Sequence, residues 1–187
     1  MVPPLYIEAY AIVSADGMLA GTDGLMPASL KIDADQHFFE SGLEGADIVV
    51  HGRNSQEQLA HSSTRRRVIL TRRIPSIAAN PSNRMELFWN PAGATFEQAL
   101  AELGAPHGSI AVIGGPAVFV LFLDITDVFY LSRAGGVRIP GGRAIFPGEP
   151  SRAPEAVLAD HGLDNPRQEL SDPATGLTIT SWRRSEI

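Results

Sequence analysis

The 187-residue sequence contains no cysteine. That absence excludes disulfides, a thiolate nucleophile and any cysteine-held zinc or iron–sulfur cluster, so redox work here would rest on a bound organic cofactor. A basic excess is missing too. Fifteen Lys+Arg face 21 Asp+Glu, for a formal net charge of −6, which argues against a general nucleic-acid surface. No apolar run approaches the roughly 20 residues of a membrane-spanning helix. The opening Met1-Val-Pro-Pro-Leu-Tyr-Ile7 lacks the basic region and apolar core of a secretory signal. The five histidines show no metal-ligand spacing, and there is no internal repeat or low-complexity tract. The expectation is a cytoplasmic protein with no membrane, nucleic-acid or metal partner. With 44% hydrophobic and 19% charged residues, the chain suits one globular domain over 1–187.

The most informative stretch runs from Ile110 to Leu123. Residues 110–113, apolar and rich in β-branching, predict a strand buried on both faces. Gly114 and Gly115 free the backbone to turn tightly and to approach a ligand. Pro116 suits a first helical position, and Val118, Phe119, Leu121 and Phe122 give that helix an apolar face. A helix start just past a strand's carboxyl end is where a phosphate binds; a plain crossover whose glycines serve only the turn is the alternative.

Residues 5–13 predict a central strand interrupted only by Glu8. Residues 14–24, with three glycines and two aspartates, read as a long loop and candidate lid. A helix is expected from about Lys31 to Ser41, and a second strand over 46–51. After it, Gly52, Arg53, Asn54 and Ser55 open another helix and either cap it or form a second anion site. Residues 66–73 predict a third strand that delivers Thr71, Arg72 and Arg73 to its carboxyl end. There they either clamp a monoester phosphate or form ordinary surface charge; Arg65 to Arg67 at the other end read as a solvated edge. A short strand over 86–89, a helix capped by Thr95 and ending at Gly104, and a strand over 127–132 follow. The last of these is joined to the 110–113 strand by a crossover long enough for a parallel pair. Residues 148–173 have no clear period, and 178–183 alternate as a final antiparallel strand.

Four pieces occur in an order that resembles the dihydrofolate reductase superfamily: Ala11-Ile-Val-Ser-Ala-Asp-Gly-Met-Leu-Ala20 with Met26-Pro27, Val50-His-Gly-Arg53, Val68-Ile-Leu-Thr-Arg72, and Val112-Ile-Gly-Gly115 with its helix. The resemblance implies a three-layer α/β/α domain around a mixed, mostly parallel sheet, its last strand antiparallel at an edge. It implies NADPH as cofactor. Gly52, Arg53, Asn54 and Ser55, with Ile113, Gly114, Gly115, Pro116, Ala117 and Val118, would hold the diphosphate; Thr71, Arg72 and Arg73 would take the 2′-phosphate. Two branches fit. Ser14-Ala-Asp-Gly-Met-Leu-Ala20 and Gly141-Gly-Arg-Ala-Ile-Phe-Pro147 resemble the reductase domain of the riboflavin-pathway deaminase-reductase, here without a deaminase signature. That branch implies a ribosylamino-pyrimidine substrate and a homodimer. Met26-Pro27 with Asp33 is more similar to folate reductases, in which Asp33 would be the substrate-binding acid and Ser132 the neighbouring hydroxyl. A nucleotide-binding module without turnover is the reading from a different class.

Overall fold

A computed structural model describes residues 4–55, 62–148 and 152–185. The apolar runs become the strands of one sheet. In chain order the elements are β1 (Tyr6–Ser14), β2 (Met18–Ala20), α1 (Asp33–Glu44), β3 (Ile48–Gly52), β4 (Arg66–Leu70), β5 (Ile77–Ala79), β6 (Glu86–Trp89) and α2 (Phe96–Glu102). There follow β7 (Ser109–Val112), α3 (Pro116–Phe122), β8 (Val128–Ala134), β9 (Arg143–Ala144), α4 (Pro154–Asp160), β10 (Leu163–Asp172) and β11 (Leu177–Arg184). Nine strands pair in the order β10-β11-β8-β1-β7-β3-β4-β6-β5, and β2 pairs separately with β9. The central pairings, β8 through β6, are all parallel; the outer ones, β8–β11, β10–β11 and β5–β6, are antiparallel.

The two-residue period of β1 sorts its side chains into two layers. Ile7, Ala9 and Val13 join a core with Phe96 and Leu100 of α2, Phe119 and Phe122 of α3, and Leu158 of α4. Tyr10 and Ile12 point the other way, where Phe38, Phe39 and Leu43 of α1 and Leu30 cover them. The result is the three-layer α/β/α arrangement with a mixed, mostly parallel sheet. Thr95 caps α2 through a reciprocal box with Gln98, which satisfies two otherwise orphaned N–H groups.

Several expectations are corrected. β11 is not an edge strand, because β10 lies outside it. The region over 148–173 holds both α4 and the ten-residue β10, whose pattern is masked because the edge strand is exposed along most of its length. Pro166 within it is compatible with an edge. The strands over 110–113 and 127–132 do not pair; β1 lies between β7 and β8. The third strand stops at Leu70, with one further ladder bond from Thr71 N–H to the Trp89 carbonyl at 2.9 Å. Arg67 is fully buried rather than solvated, and donates through Nε to the Ser62 carbonyl at 3.1 Å. Arg65 donates to the Leu43 carbonyl in the last turn of α1 at 2.6 Å, a favourable place for a cation. The helix expected beyond Ser55 falls on 56–61, outside the described residues. Among those described, no helix is long and apolar enough to cross a membrane.

Candidate active site

A cleft of about 550 Å³ opens at the carboxyl ends of β1, β3, β7 and β8, between the sheet and α1. Ligands of open α/β sheets bind at this end of the strands. Tyr10, Ala11 and Ile12 of β1 and Tyr130 and Ser132 of β8 form its floor. Asp35, Gln36, Phe38, Phe39 and Glu40 of α1 form one wall, and Leu19, Ala20, Gly24, Met26, Leu30 and Lys31 a second. Asn54, Ser55, Ile113, Gly115 and Phe119 close the far end.

The far end is built from backbone. Gly52 N–H donates to the Gly114 carbonyl at 2.7 Å, and Ile113 N–H to the Val50 carbonyl at 3.0 Å, so the two strand-to-helix turns lie against each other. Gly114 has φ +101° and joins Gly115 through a cis peptide bond. A Cβ on Gly115 would sit 3.3 Å from Ser55 Oγ. The open backbone, the Ser55 hydroxyl and the Asn54 amide therefore fit a diphosphate approaching from the cleft. Gly52, Arg53, Gly114, Pro116, Ala117 and Val118 stand next to these lining residues without lining the cleft themselves. Arg72 and Arg73 are exposed, and Thr71 is buried with its Oγ1 accepting from Arg73 N–H at 3.2 Å. None of the three lines the cleft.

The near end is built from side chains. Sequence reasoning placed the acid at Asp33, but Asp33 is the exposed first residue of α1 and is not in the cleft lining. Asp35, two residues on, does line the cleft, beside Ser132 and with Glu40 further along the helix. Ser132, 3% exposed, lies where expected. Burial raises the Asp35 carboxyl above its ordinary value, and the nearby Ser132 hydroxyl only partly opposes this. Helix phase separates the two: two residues along a 3.6-residue turn are about 200° apart, so the two acids face different directions. That phase is readable only once the start of α1 is known.

In the floor, Tyr10 and Tyr130 stack with ring centroids 4.9 Å apart and share one carboxylate. Tyr10 OH donates to Glu8 Oε2 at 2.9 Å and Tyr130 OH to Oε1 at 3.3 Å. Burial and the Glu8 charge push the Tyr10 phenol up, and Tyr130 up to about 12, so both remain neutral donors. Tyr10 fits because α1 has a notch at Gly42, where a Cβ would come 2.4 Å from the phenolic oxygen.

The Ser14-Ala-Asp-Gly segment braces a wall. Ser14 Oγ donates to Asp16 Oδ1 at 2.5 Å and accepts from Met18 N–H at 3.0 Å, while Asp16 Oδ1 accepts from Ile139 N–H at 3.0 Å. The Ser14 hydrogen bond is the main reason the Asp16 carboxyl lies below its ordinary value. With the β2–β9 pairing of Met18 with Ala144 and Ala20 with Arg143, these bonds tie the expected lid loop to the 137–144 segment.

No protein-family model and no curated protein matches this sequence. Among solved structures, a protein from Shewanella sp. PV-4, provisionally named a riboflavin biosynthesis protein, is 18% identical with a TM-score of 0.64, over 97% of this chain and 99% of that one. At that identity the likeness shows the fold alone, a three-layer α/β domain matched over nearly the whole of both chains.

Proposed function

We propose that the protein is an NADPH-dependent reductase of a small heterocycle, a ribosylamino-pyrimidine of the riboflavin-pathway type. The observation that carries this reading is the Asp35–Ser132 pair, set in the same cleft as Gly115, Ser55 and Asn54. NADPH, when bound, supplies the hydride. The chain's own part is to bind and to manage a proton. The Gly52–Ser55 and Gly114–Val118 turns receive the diphosphate, and Thr71, Arg72 and Arg73 the 2′-phosphate, from the surface beside the cleft. Asp35, with its carboxyl raised by burial, holds a proton further toward neutral pH than an ordinary aspartate and presents it to the sugar ring oxygen, whose bond to the adjacent carbon breaks as that carbon takes the hydride. Ser132 orients that carboxyl. The name of the Shewanella neighbour and the Ser14–Gly17 brace favour the pyrimidine substrate.

The second reading, a dihydrofolate or other pteridine reductase, is favoured by the acid early in α1 paired with a hydroxyl on β8. Purified protein is mixed with NADPH and each substrate, and loss of the reduced-nicotinamide absorbance is followed. Oxidation with the ribosylamino-pyrimidine supports the proposal, and oxidation with dihydrofolate alone favours the second reading. Cofactor binding without oxidation by either would make the domain a nucleotide-binding module.

A further inference from the structure

The acids around the cleft do not share one task, and the one left over bears on which edge of a heterocycle the cleft takes, an inference that rests on the reductase reading above. Glu8 is occupied by two phenols and is not in the lining, and Asp35 sits beside Ser132. Glu40 lines the cleft half-buried and has no hydrogen-bond or ion-pair partner among the described residues. The same holds for the side-chain amide of Gln36, one turn earlier on the same side of α1 and also in the lining. The cations stand opposite. Lys31 belongs to the loop wall, and the exposed Arg143 guanidinium lies against Gly24 there while donating to the Thr22 carbonyl at 3.3 Å. The cleft is therefore polarised, with unpaired acceptors on α1 and positive charge across from them. Asp35 and Glu40, five residues apart, are separated by about 7.5 Å along the helix axis, a spacing that a pyrimidine joined to a sugar bridges.

We infer that Glu40 selects a heterocycle whose edge carries an amino group beside a ring N–H, an aminopyrimidinone, over the corresponding pyrimidinedione. An ionised carboxylate accepts hydrogen bonds and donates none, and its two oxygens match two neighbouring N–H donors as a fork. The aminopyrimidinone supplies that pair, and its carbonyl on the far side of the ring N–H accepts from the Gln36 amide. In the dione a second carbonyl replaces the amino group, so one oxygen of Glu40 loses its donor and faces lone pairs instead. A site built around a substrate N–H rejects the analogue that lacks it, and the half-buried setting of Glu40 makes the rejection smaller than in a sealed pocket.

The test is calorimetric titration with a matched pair, an aminopyrimidinone and a pyrimidinedione carrying the same sugar group, alongside NADPH oxidation in the presence of each. The aminopyrimidinone should bind at least about tenfold tighter. Glu40→Gln, whose amide donates to the second carbonyl, should cut this ratio by roughly fivefold or more, in part by tightening the dione. Glu40→Ala should cut it by weakening the aminopyrimidinone. Both variants are titrated below their melting transitions, so that loss of fold is not read as loss of preference. Equal or tighter binding of the dione by the native protein, or a ratio indifferent to both variants, overturns the inference. If the dione is then the compound reduced with NADPH, the reductase reading stands while this inference falls. A preference that depends on Glu40, with no NADPH oxidised by either compound, upholds the inference and sinks the reductase reading. If the protein binds neither compound, both fall together.

Discussion

The two ends of the cleft are made of different material. At the far end, Gly52, Gly114 and Gly115 bring two turns together through main-chain hydrogen bonds, and what a ligand meets there is mostly backbone. At the near end, Asp35 from α1 and Ser132 from β8 meet across nearly a hundred residues of sequence, and the tyrosine floor depends on Glu8 and on the notch at Gly42. A site made of backbone is written locally, in the glycines themselves. A site made of side chains depends on the phase of a helix and the register of a sheet, so it emerges only from the assembled fold.

The largest expected effect tests the near end. If Asp35 delivers a proton, Asp35→Asn should lower kcat by about 10²–10⁴. Any reductase rate of the native protein should then fall as pH rises through the elevated Asp35 pKa, and this limb should vanish in the variant. The stability change has the opposite sign. An acid whose folded pKa is raised destabilises the fold above its unfolded pKa, because the unfolded chain then releases the proton more readily than the folded one. Asp35→Asn should therefore raise the melting temperature at neutral pH and leave it little changed at acidic pH. A variant that loses both activity and stability would make Asp35 a packing residue.

Next in size is a test of the far end. Gly115→Val places branched carbons against Ser55 Oγ, which lies 3.3 Å from the first of them. NADPH affinity should fall about a hundredfold or more if the turn receives the diphosphate, the equivalent of losing two or more charge-assisted hydrogen bonds. Gly114→Val serves as the contrast: its φ of +101° and a Cβ 3.0 Å from Phe119 should cost stability as well as affinity. Calorimetry and thermal melts separate the two, and normal NADPH binding by Gly115→Val would remove this turn from the site.

These contrasts follow what the sequence let a reader see. The central strands were legible because they are buried on both faces and so read as unbroken apolar runs: Ile48-Val-Val50, Val68-Ile69, Ile110-Ala-Val112. α2 announced itself through Thr95 and Gln98. β10 did not, since an exposed edge strand needs no apolar alternation, and Arg167, Gln168 and Glu169 carry no signal of pairing. Arg67 read as surface because its burial depends on the fold of 62–64 over it. Ser132 lines the cleft because it lies on a strand whose alternation fixes its face. Which of Asp33 and Asp35 faces the cleft was not legible, because nothing local marks the start of α1, whose N-cap position is Ile32 without a capping side chain.

A smaller effect is expected outside the cleft, at Arg72 and Arg73. Both are exposed, so a 2′-phosphate held there would remain partly hydrated. Replacing each by alanine should weaken NADPH by at most about 1.5–3 kcal/mol per lost charged hydrogen bond and leave NADH nearly unchanged. Equal losses for both cofactors would show that these arginines serve another purpose.

The smallest effect sharpens the comparison most, because it separates two acids on one turn of helix. Asp33 and Asp35 both lie in the first turn of α1, where a carboxylate is worth about 0.3–1 kcal/mol against the helix dipole. Only Asp35 lines the cleft. Asp33→Asn should therefore leave kcat, KM and the pH profile unchanged on either heterocycle, and lower stability by no more than that dipole contribution, readable as a small drop in melting temperature. Asp35→Asn, one substitution away on the same helix, should do the reverse on both counts. If Asp33→Asn instead raised KM or lowered kcat, the exposed acid would have to turn inward when substrate binds, and the near end of the cleft would be assembled by its ligand rather than by the fold.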